Sequence, residues 1–173
     1  MSQHWITRKI EIDAGHRIPD HRSKCKNVHG HRYVIEATCS GELFTEGEQQ
    51  GMVLDFGFLK EEMVREIDDP CDHGMILYRK DPLVARIKNS RASYDTMMSA
   101  FDNQRIGWYP TITVLGKTYF IDSVPTAENL AAHWFVRMNG AVKRRSQQQA
   151  TLERIKVFET PNCWAVVDKD SLT

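Results

Sequence analysis

Between residues 6 and 14 the even positions Ile6, Ile10, Ile12 and Ala14 are apolar, Arg8 apart, and Thr7, Lys9, Glu11 and Asp13 between them are polar. A period of two marks a half-buried strand. Continuing the alternation puts His16 on the apolar side, with Gly15 allowing a bend. A loop rich in Pro, Asp, Arg and Lys runs over 17–27. After it comes a second alternating run, with His29, His31, Tyr33, Ile35 and Ala37 on one face and Gly30, Arg32, Val34, Glu36 and Thr38 on the other. The stretch 46–51 reads as a turn, so 28–39 and 52–54 are predicted to belong to one meander.

Asp55 reads as an N-cap, followed by Phe56, Leu59, Met63 and Ile67 at helical spacing and by Lys60, Glu61, Glu62 and Arg65 facing outward. This amphipathic helix is predicted to run through Asp68 and to end at Asp69-Pro70. Asp81-Pro82 starts a short helix to Lys88. The runs 111–115 and 118–124 flank Gly116-Lys117, the glycine-first pair of a type II′ hairpin. Thr126 caps a helix over 127–140, with Leu130, Ala131, Trp134 and Met138 as its apolar stripe and Gly140 as its stop. Strands follow at 152–159, where Ile155, Val157 and Glu159 share a face, and at 163–167. Two hairpin-connected strand pairs and two long helices make an α+β domain with a mainly antiparallel sheet.

Composition narrows the function classes. The 173 residues include 23 Lys plus Arg and 23 Asp plus Glu, for a formal net charge of zero. A chain so balanced has no overall basic footprint for nucleic acid or an anionic membrane, and an anionic ligand must be met locally. No run approaches the roughly 18 apolar residues of a membrane span, and the start lacks a signal-peptide core, so an intracellular, cytoplasmic location is expected. The length suffices for a core without a structural metal, so a metal here needs a functional reason. Cys25, Cys39, Cys71 and Cys163 form no C-x-x-C pair, which speaks against a disulfide framework or a zinc ribbon.

The chemistry gathers around His16 and His29-Gly30-His31. Side chains at i and i+2 of a strand leave the same face, so His29 and His31 project together, and His16 ends a strand able to pair alongside. Three histidines leave the fourth tetrahedral position of a zinc ion open, as in catalytic sites. An isolated H-x-H is more often a spacing accident; the surrounding residues change that. Cys25, flanked by Lys24 and Lys26 and four residues before His29, has the electrostatics of a nucleophile, a base or a ligand. The other three cysteines read as inert. Asp72-His73 pairs a carboxylate with an imidazole suited to proton transfer, although the dipeptide serves a turn after Pro70 equally well. Glu159 continues a buried strand face, where a carboxylate needs a partner such as a guanidine-like edge with two N–H donors; turned outward, it is only a strand-end glutamate. Thr126 and Glu128 suit a helix start.

As a set, Ala14-Gly15-His16-Arg17, Cys25-x3-His29-Gly30-His31, Gly51-Met52-Val53-Leu54-Asp55-Phe56, Asp72-His73, Pro125-Thr126-Ala127-Glu128-Asn129-Leu130 and Glu159-Thr160 resemble the 6-pyruvoyl-tetrahydropterin synthase and 6-carboxytetrahydropterin synthase family. The resemblance implies a tunnelling fold (T-fold): a four-stranded antiparallel sheet with two helices on one face, assembled as a trimer or a dimer of trimers with active sites between subunits. It also implies zinc on His16, His29 and His31, Cys25 as the proton-abstracting thiol, Asp72 with His73 as a second relay, Glu159 as pterin anchor, and Thr126 and Glu128 in the pterin pocket. Three residues between the cysteine and H-x-H resemble the 6-carboxy-5,6,7,8-tetrahydropterin synthases of the queuosine (7-deazaguanine) pathway. Those are carbon-carbon lyases that convert 7,8-dihydroneopterin triphosphate to 6-carboxytetrahydropterin, acetaldehyde and triphosphate. Arg17, Arg22, Lys24 and Lys26 are candidates to meet the triphosphate.

The runner-up is 6-pyruvoyl-tetrahydropterin synthase activity; a non-catalytic zinc- or pterin-binding scaffold has no physical need for all seven of His16, Cys25, His29, His31, Asp72, His73 and Glu159. A two-cysteine, two-histidine finger does not match the spacing. One departure stands out: compact members pass quickly from the Asp-His pair to the Pro-Thr helix start. Here the single domain, 1–173, carries an insertion at about 79–120, expected to extend a strand hairpin and fold over an intersubunit edge or the site mouth.

Overall fold

The alternating N-terminal run forms β1, His4–His16, antiparallel to β2, His29–Gly41. Ile10 faces Ile35, Ile12 faces Tyr33 and His16 faces His29 across this pair. The computed structural model describes residues 3–88, 107–112 and 116–172. The remaining strands are β3 (Gly74–Tyr78), β4 (Gly107–Ile112), β5 (Gly116–Ile121), β6 (Ala150–Thr160) and β7 (Cys163–Asp168). They make one seven-stranded sheet in the order β4-β5-β3-β1-β2-β6-β7. The expected four antiparallel strands are β1, β2, β6 and β7. The sheet is larger because β3 and β5 add in parallel and β4 pairs back on β5.

The first helix, α1, starts at Phe56 and runs as α-helix to Met63, as a π-helical stretch over Val64–Asp68 and as a last α turn over Asp69–Cys71. Asp55 caps it, its Oδ1 accepting from the Gly57 and Phe58 N–H groups at 2.6 and 3.1 Å, a contribution of about 1 kcal/mol. Pro70 does not end it as expected. The π stretch reopens the hydrogen-bond ladder, with the Asp69 N–H bonded to Val64 O, so Pro70 stands at the start of a fresh turn, where its missing N–H costs nothing. Two side chains differ from the predicted stripe. Phe56 is exposed, and Glu62, expected outward, is buried against the Arg145 Nε at 2.8 Å.

Helix α2 spans Pro82–Lys88, and α3 runs Ala127–Arg145, five residues beyond the predicted stop. Gly140 in a helix interior costs about 1 kcal/mol, but Ala141 and Val142 beyond it are buried and carry the helix on. Residues 52–54 are not a strand. The 46–51 turn is closed by the Phe44 N–H to Met52 O bond (2.9 Å), β2 already holds β1 and β6, and Val53 and Leu54 bury themselves at the entry to α1. Gly116 is not in a two-residue turn but in β5, at φ 68° and opposite Ile112. The connection is therefore 113–115, which lies outside the described residues.

Leu59, Met63 and Ile67 of α1 and Leu130, Trp134 and Met138 of α3 cover one face of the sheet, meeting Ile12, Tyr33, Ile35, Ile155 and Val157. The described parts of the 79–120 segment are α2 and the β4–β5 hairpin, which lies at one end of the sheet; 89–106 lie outside the described residues. No helix among the described residues is long and apolar enough to cross a membrane.

Candidate metal and substrate site

The three histidines converge at the end where β1 and β2 meet. Their ligand atoms lie within 4.8 Å of one another. His16 Nδ1 sits 2.7 Å from Pro125 O, and His29 Nδ1 sits 2.8 Å from Asn27 O. A carbonyl can only accept, so both Nδ1 atoms carry the hydrogen and each neutral ring presents an Nε2 lone pair. These two Nε2 atoms are 3.1 Å apart, and His31 Nε2 is buried without a hydrogen-bond partner. Lone pairs aimed at one another in a partly dry pocket are repulsive unless a cation stands between them. Burial also lowers the pKa of His16 and of His31, favouring the neutral form that ligates. This donor set fits a metal ion, and three imidazoles leave room for substrate oxygens.

Glu159, near the end of β6, brings Oε1 to 3.5 Å from His16 Nε2 and 3.8 Å from His31 Nε2. It is 30% exposed, less covered than Ile155 and Val157, and it reaches the triad itself. Tyr33, one alternation inward from His31, stands edge-on to both His16 and His31, at 5.8 and 5.6 Å between ring centroids. Its buried hydroxyl has no hydrogen-bond partner, and burial drives its pKa upward.

A cavity of about 260 Å³ opens beside the triad, lined by His16, Cys25, Thr126, Glu128 and Glu159 together with Ile18, His21, Ala127, Cys163 and Trp164. Thr126 is there because it caps α3, its Oγ1 accepting from the Asn129 N–H at 3.3 Å; the same corner presents Pro125 O to His16. The 17–27 loop is closed by the Ile18 N–H to Cys25 O bond at 2.8 Å, which holds the half-buried Cys25 at the cavity wall. Cys39 and Cys71 are buried and inert as expected, and burial pushes the Cys39 thiol up to about 12. Cys163, read as inert with them, is exposed and part of the cavity lining. Sequence reasoning missed its place here, and that of Trp164, because only the folding back of β7 on β6 brings the start of β7 to the cavity; His21 reaches it from the 17–27 loop, whose path the sequence does not set.

Asp72 and His73 sit where α1 gives way to β3. His73 Nδ1 lies 2.6 Å from Asp72 Oδ2, and His73 is 80% exposed. Partial burial raises the Asp72 pKa, but the Asp13 N–H and His73 outweigh it and hold the carboxyl below its usual value. His73 does not line the Cys25 cavity; it borders a separate, open depression of about 470 Å³ together with His31 and Arg32. Of the triphosphate candidates, Arg22, Lys24 and Lys26 are exposed on the loop. Arg17 is occupied: its Nε pairs at 3.0 Å with the buried Asp81, whose Oδ1 accepts from the Leu83 N–H at the start of α2.

The chain is 34% identical over 161 residues to a 6-carboxy-5,6,7,8-tetrahydropterin synthase of Rickettsia bellii, covering 93% of this chain and 97% of that one. Among solved structures it superposes on an uncharacterized protein from Wolinella succinogenes with a TM-score of 0.75 at 21% identity, covering 98% and 99% of the two chains. It also superposes on 6-pyruvoyl tetrahydropterin synthase from Caenorhabditis elegans with a TM-score of 0.58 at 21% identity, covering 97% and 96%. These likenesses make the curled sheet with helices on one face the expected tunnelling fold, enlarged from four strands to seven. The 6-pyruvoyl tetrahydropterin synthase family model matches residues 5–170, so the chain, with its histidine triad beside the cavity of Cys25 and Glu159, belongs to that family of tetrahydropterin-forming enzymes.

Proposed function

We propose that the protein is a zinc-dependent 6-carboxy-5,6,7,8-tetrahydropterin synthase, a carbon-carbon lyase of queuosine (7-deazaguanine) biosynthesis acting in the cytoplasm. Its substrates would be 7,8-dihydroneopterin triphosphate and one water, and its products 6-carboxytetrahydropterin, acetaldehyde and triphosphate. The observation that carries this reading is the cavity that places Cys25, Glu159 and His16 of the triad around one small-molecule space. The similar Rickettsia bellii protein bears the name of this activity.

His16, His29 and His31 would hold the zinc, with Pro125 O and Asn27 O orienting two of the rings. When bound, the ion supplies Lewis-acid polarisation of the substrate's side-chain oxygens and so eases enolisation. Glu159 offers two carboxylate oxygens to adjacent N–H donors of the pterin edge, a charge-assisted pairing, and Thr126 and Glu128 close the pocket beside it. Cys25, on the wall of the same cavity, would remove a proton from the substrate side chain. The Asp72–His73 pair would move the second proton from the opposite side: Asp72 Oδ2 accepts the hydrogen of His73 Nδ1 and leaves Nε2 for the transfer.

In one chain His73 faces outward and away from the Cys25 cavity. That supports assembly as a trimer or a dimer of trimers in which sites form between subunits. The balanced charge supports a small-molecule substrate rather than nucleic acid. The test is product identification: the protein, with its metal measured, is incubated with 7,8-dihydroneopterin triphosphate and the pterin product is weighed by mass spectrometry. A 6-carboxytetrahydropterin is expected. A product retaining all side-chain carbons would make the protein a 6-pyruvoyl-tetrahydropterin synthase instead.

A further inference from the structure

The corner carrying Asp72 and His73 is strained and held from several directions. His73 has φ 52°, in the left-handed region that side chains with a Cβ rarely adopt. Its N–H donates to Asp13 O at 2.7 Å, and the Asp13 N–H donates to Asp72 Oδ1 at 2.8 Å. Asp13 is itself gripped by Arg32, through Nε at 3.0 Å and Nη2 at 2.7 Å. These contacts come from β1 and β2.

One further contact comes from β5, inside the insertion. Lys117 Nζ donates to the carbonyl oxygen of Asp72 at 2.6 Å. That carbonyl belongs to the peptide joining Asp72 to His73, the unit whose rotation would swing the imidazole. Beyond the Nδ1 bond to Asp72 Oδ2, little restrains the ring, since His73 is 80% exposed and packing does not lock its rotamer. The lysine stem and backbone approach the corner so closely that a Cβ on Gly74 would stand 3.0 Å from Lys117 O and 3.1 Å from Lys117 Cγ. Glycine at 74 therefore lets β5 deliver the ammonium.

We propose that Lys117 is a positioning residue for the Asp72–His73 pair, holding the peptide between them so that the exposed imidazole keeps one orientation for proton transfer. This rests on the reading that the pair moves a proton in the reaction. It also gives part of the insertion a task in catalysis: β5 is a strut for the relay as well as an extension of the sheet.

The experiment compares wild type, Lys117→Met, Lys117→Arg and His73→Asn. It measures kcat, KM, bound metal, thermal midpoint and the solvent deuterium isotope effect on kcat. For Lys117→Met the expected result is a kcat lower by up to about 100-fold, the scale of a misplaced catalytic group, with KM and metal content unchanged. The isotope effect rises, because proton transfer has become slower, and Lys117→Arg recovers most of the lost kcat. A Lys117→Met enzyme with wild-type kcat and isotope effect, beside a His73→Asn enzyme that has lost about 100-fold or more, would overturn the proposal and leave the relay intact. A loss in Lys117→Met confined to the thermal midpoint, with the isotope effect unmoved, would overturn it too, by showing a merely structural role. Full turnover in His73→Asn would remove the relay reading and the proposal together.

Discussion

Replacing His31 with alanine is expected to strip the protein of its metal and reduce turnover by about 1,000-fold, equivalent to roughly 4 kcal/mol of transition-state stabilisation. His31 Nε2 is a buried nitrogen with no hydrogen-bond partner, so its removal takes a ligand atom without breaking a hydrogen bond, at the cost only of its 3.8 Å approach to Glu159 Oε1. His16 is bonded through Nδ1 to Pro125 O, at the N-terminus of α3. His16→Ala therefore disturbs the pterin pocket as well as the metal. In His31→Ala, Tyr33 and Glu159 remain, and the fold, built on Ile12, Tyr33, Ile35 and the helix stripes, is retained. Metal affinity should fall more than about 100-fold, since even changes behind the ligands cost 10- to 100-fold. Equilibrium dialysis against a chelator reads the affinity directly. A His31→Ala protein holding one metal as tightly as wild type would take His31 out of the ligand set.

The second large effect is at Cys25. Cys25→Ala is expected to lower kcat by about 100- to 10,000-fold, the usual range for a lost general acid or base, while metal content stays at the wild-type level. The two effects separate because, among the described residues, the clustered metal-ligating atoms belong to His16, His29 and His31, whereas Cys25 lies on the wall of the adjoining cavity. Cys163 shares that cavity and gives the control, since Cys163→Ala should stay within a few-fold of wild type. Near-normal turnover in Cys25→Ala with its metal retained would remove this thiol from the mechanism.

Where a side-chain pattern is set by burial on one face, it was legible. The period-two runs of β1 and β2 place Ile12, Ala14 and His16 opposite Tyr33, His31 and His29, so the convergence of the triad follows from alternation plus pairing. Glu159 was legible for the same reason, as the continuation of Ile155 and Val157. Local punctuation was less dependable. Pro70 is absorbed by a π stretch, and Gly140 is overridden by Ala141 and Val142, because tertiary burial outweighs a local preference of about 1 kcal/mol.

Strand β3 was illegible for a different reason. It meets β1 only at Ala14 and Gly15, in parallel, and so short a parallel edge leaves no periodic signature. Lys117 was out of reach because its partner is a backbone carbonyl 45 residues earlier, and main-chain acceptors are invisible in a list of side chains. The same holds for Pro125 O and Asn27 O, which set the tautomers of His16 and His29. The convergence of the three histidines could be read from the sequence. What orients them could not.

The most direct measurement of the central claim is acetaldehyde release as metal is returned to the chelator-stripped protein in the presence of 7,8-dihydroneopterin triphosphate. Release should be absent without metal, rise in proportion to added zinc and level off at one equivalent per chain, matched by triphosphate and 6-carboxytetrahydropterin. Equal acetaldehyde from the stripped protein, or none from protein carrying one zinc per chain, would contradict the account.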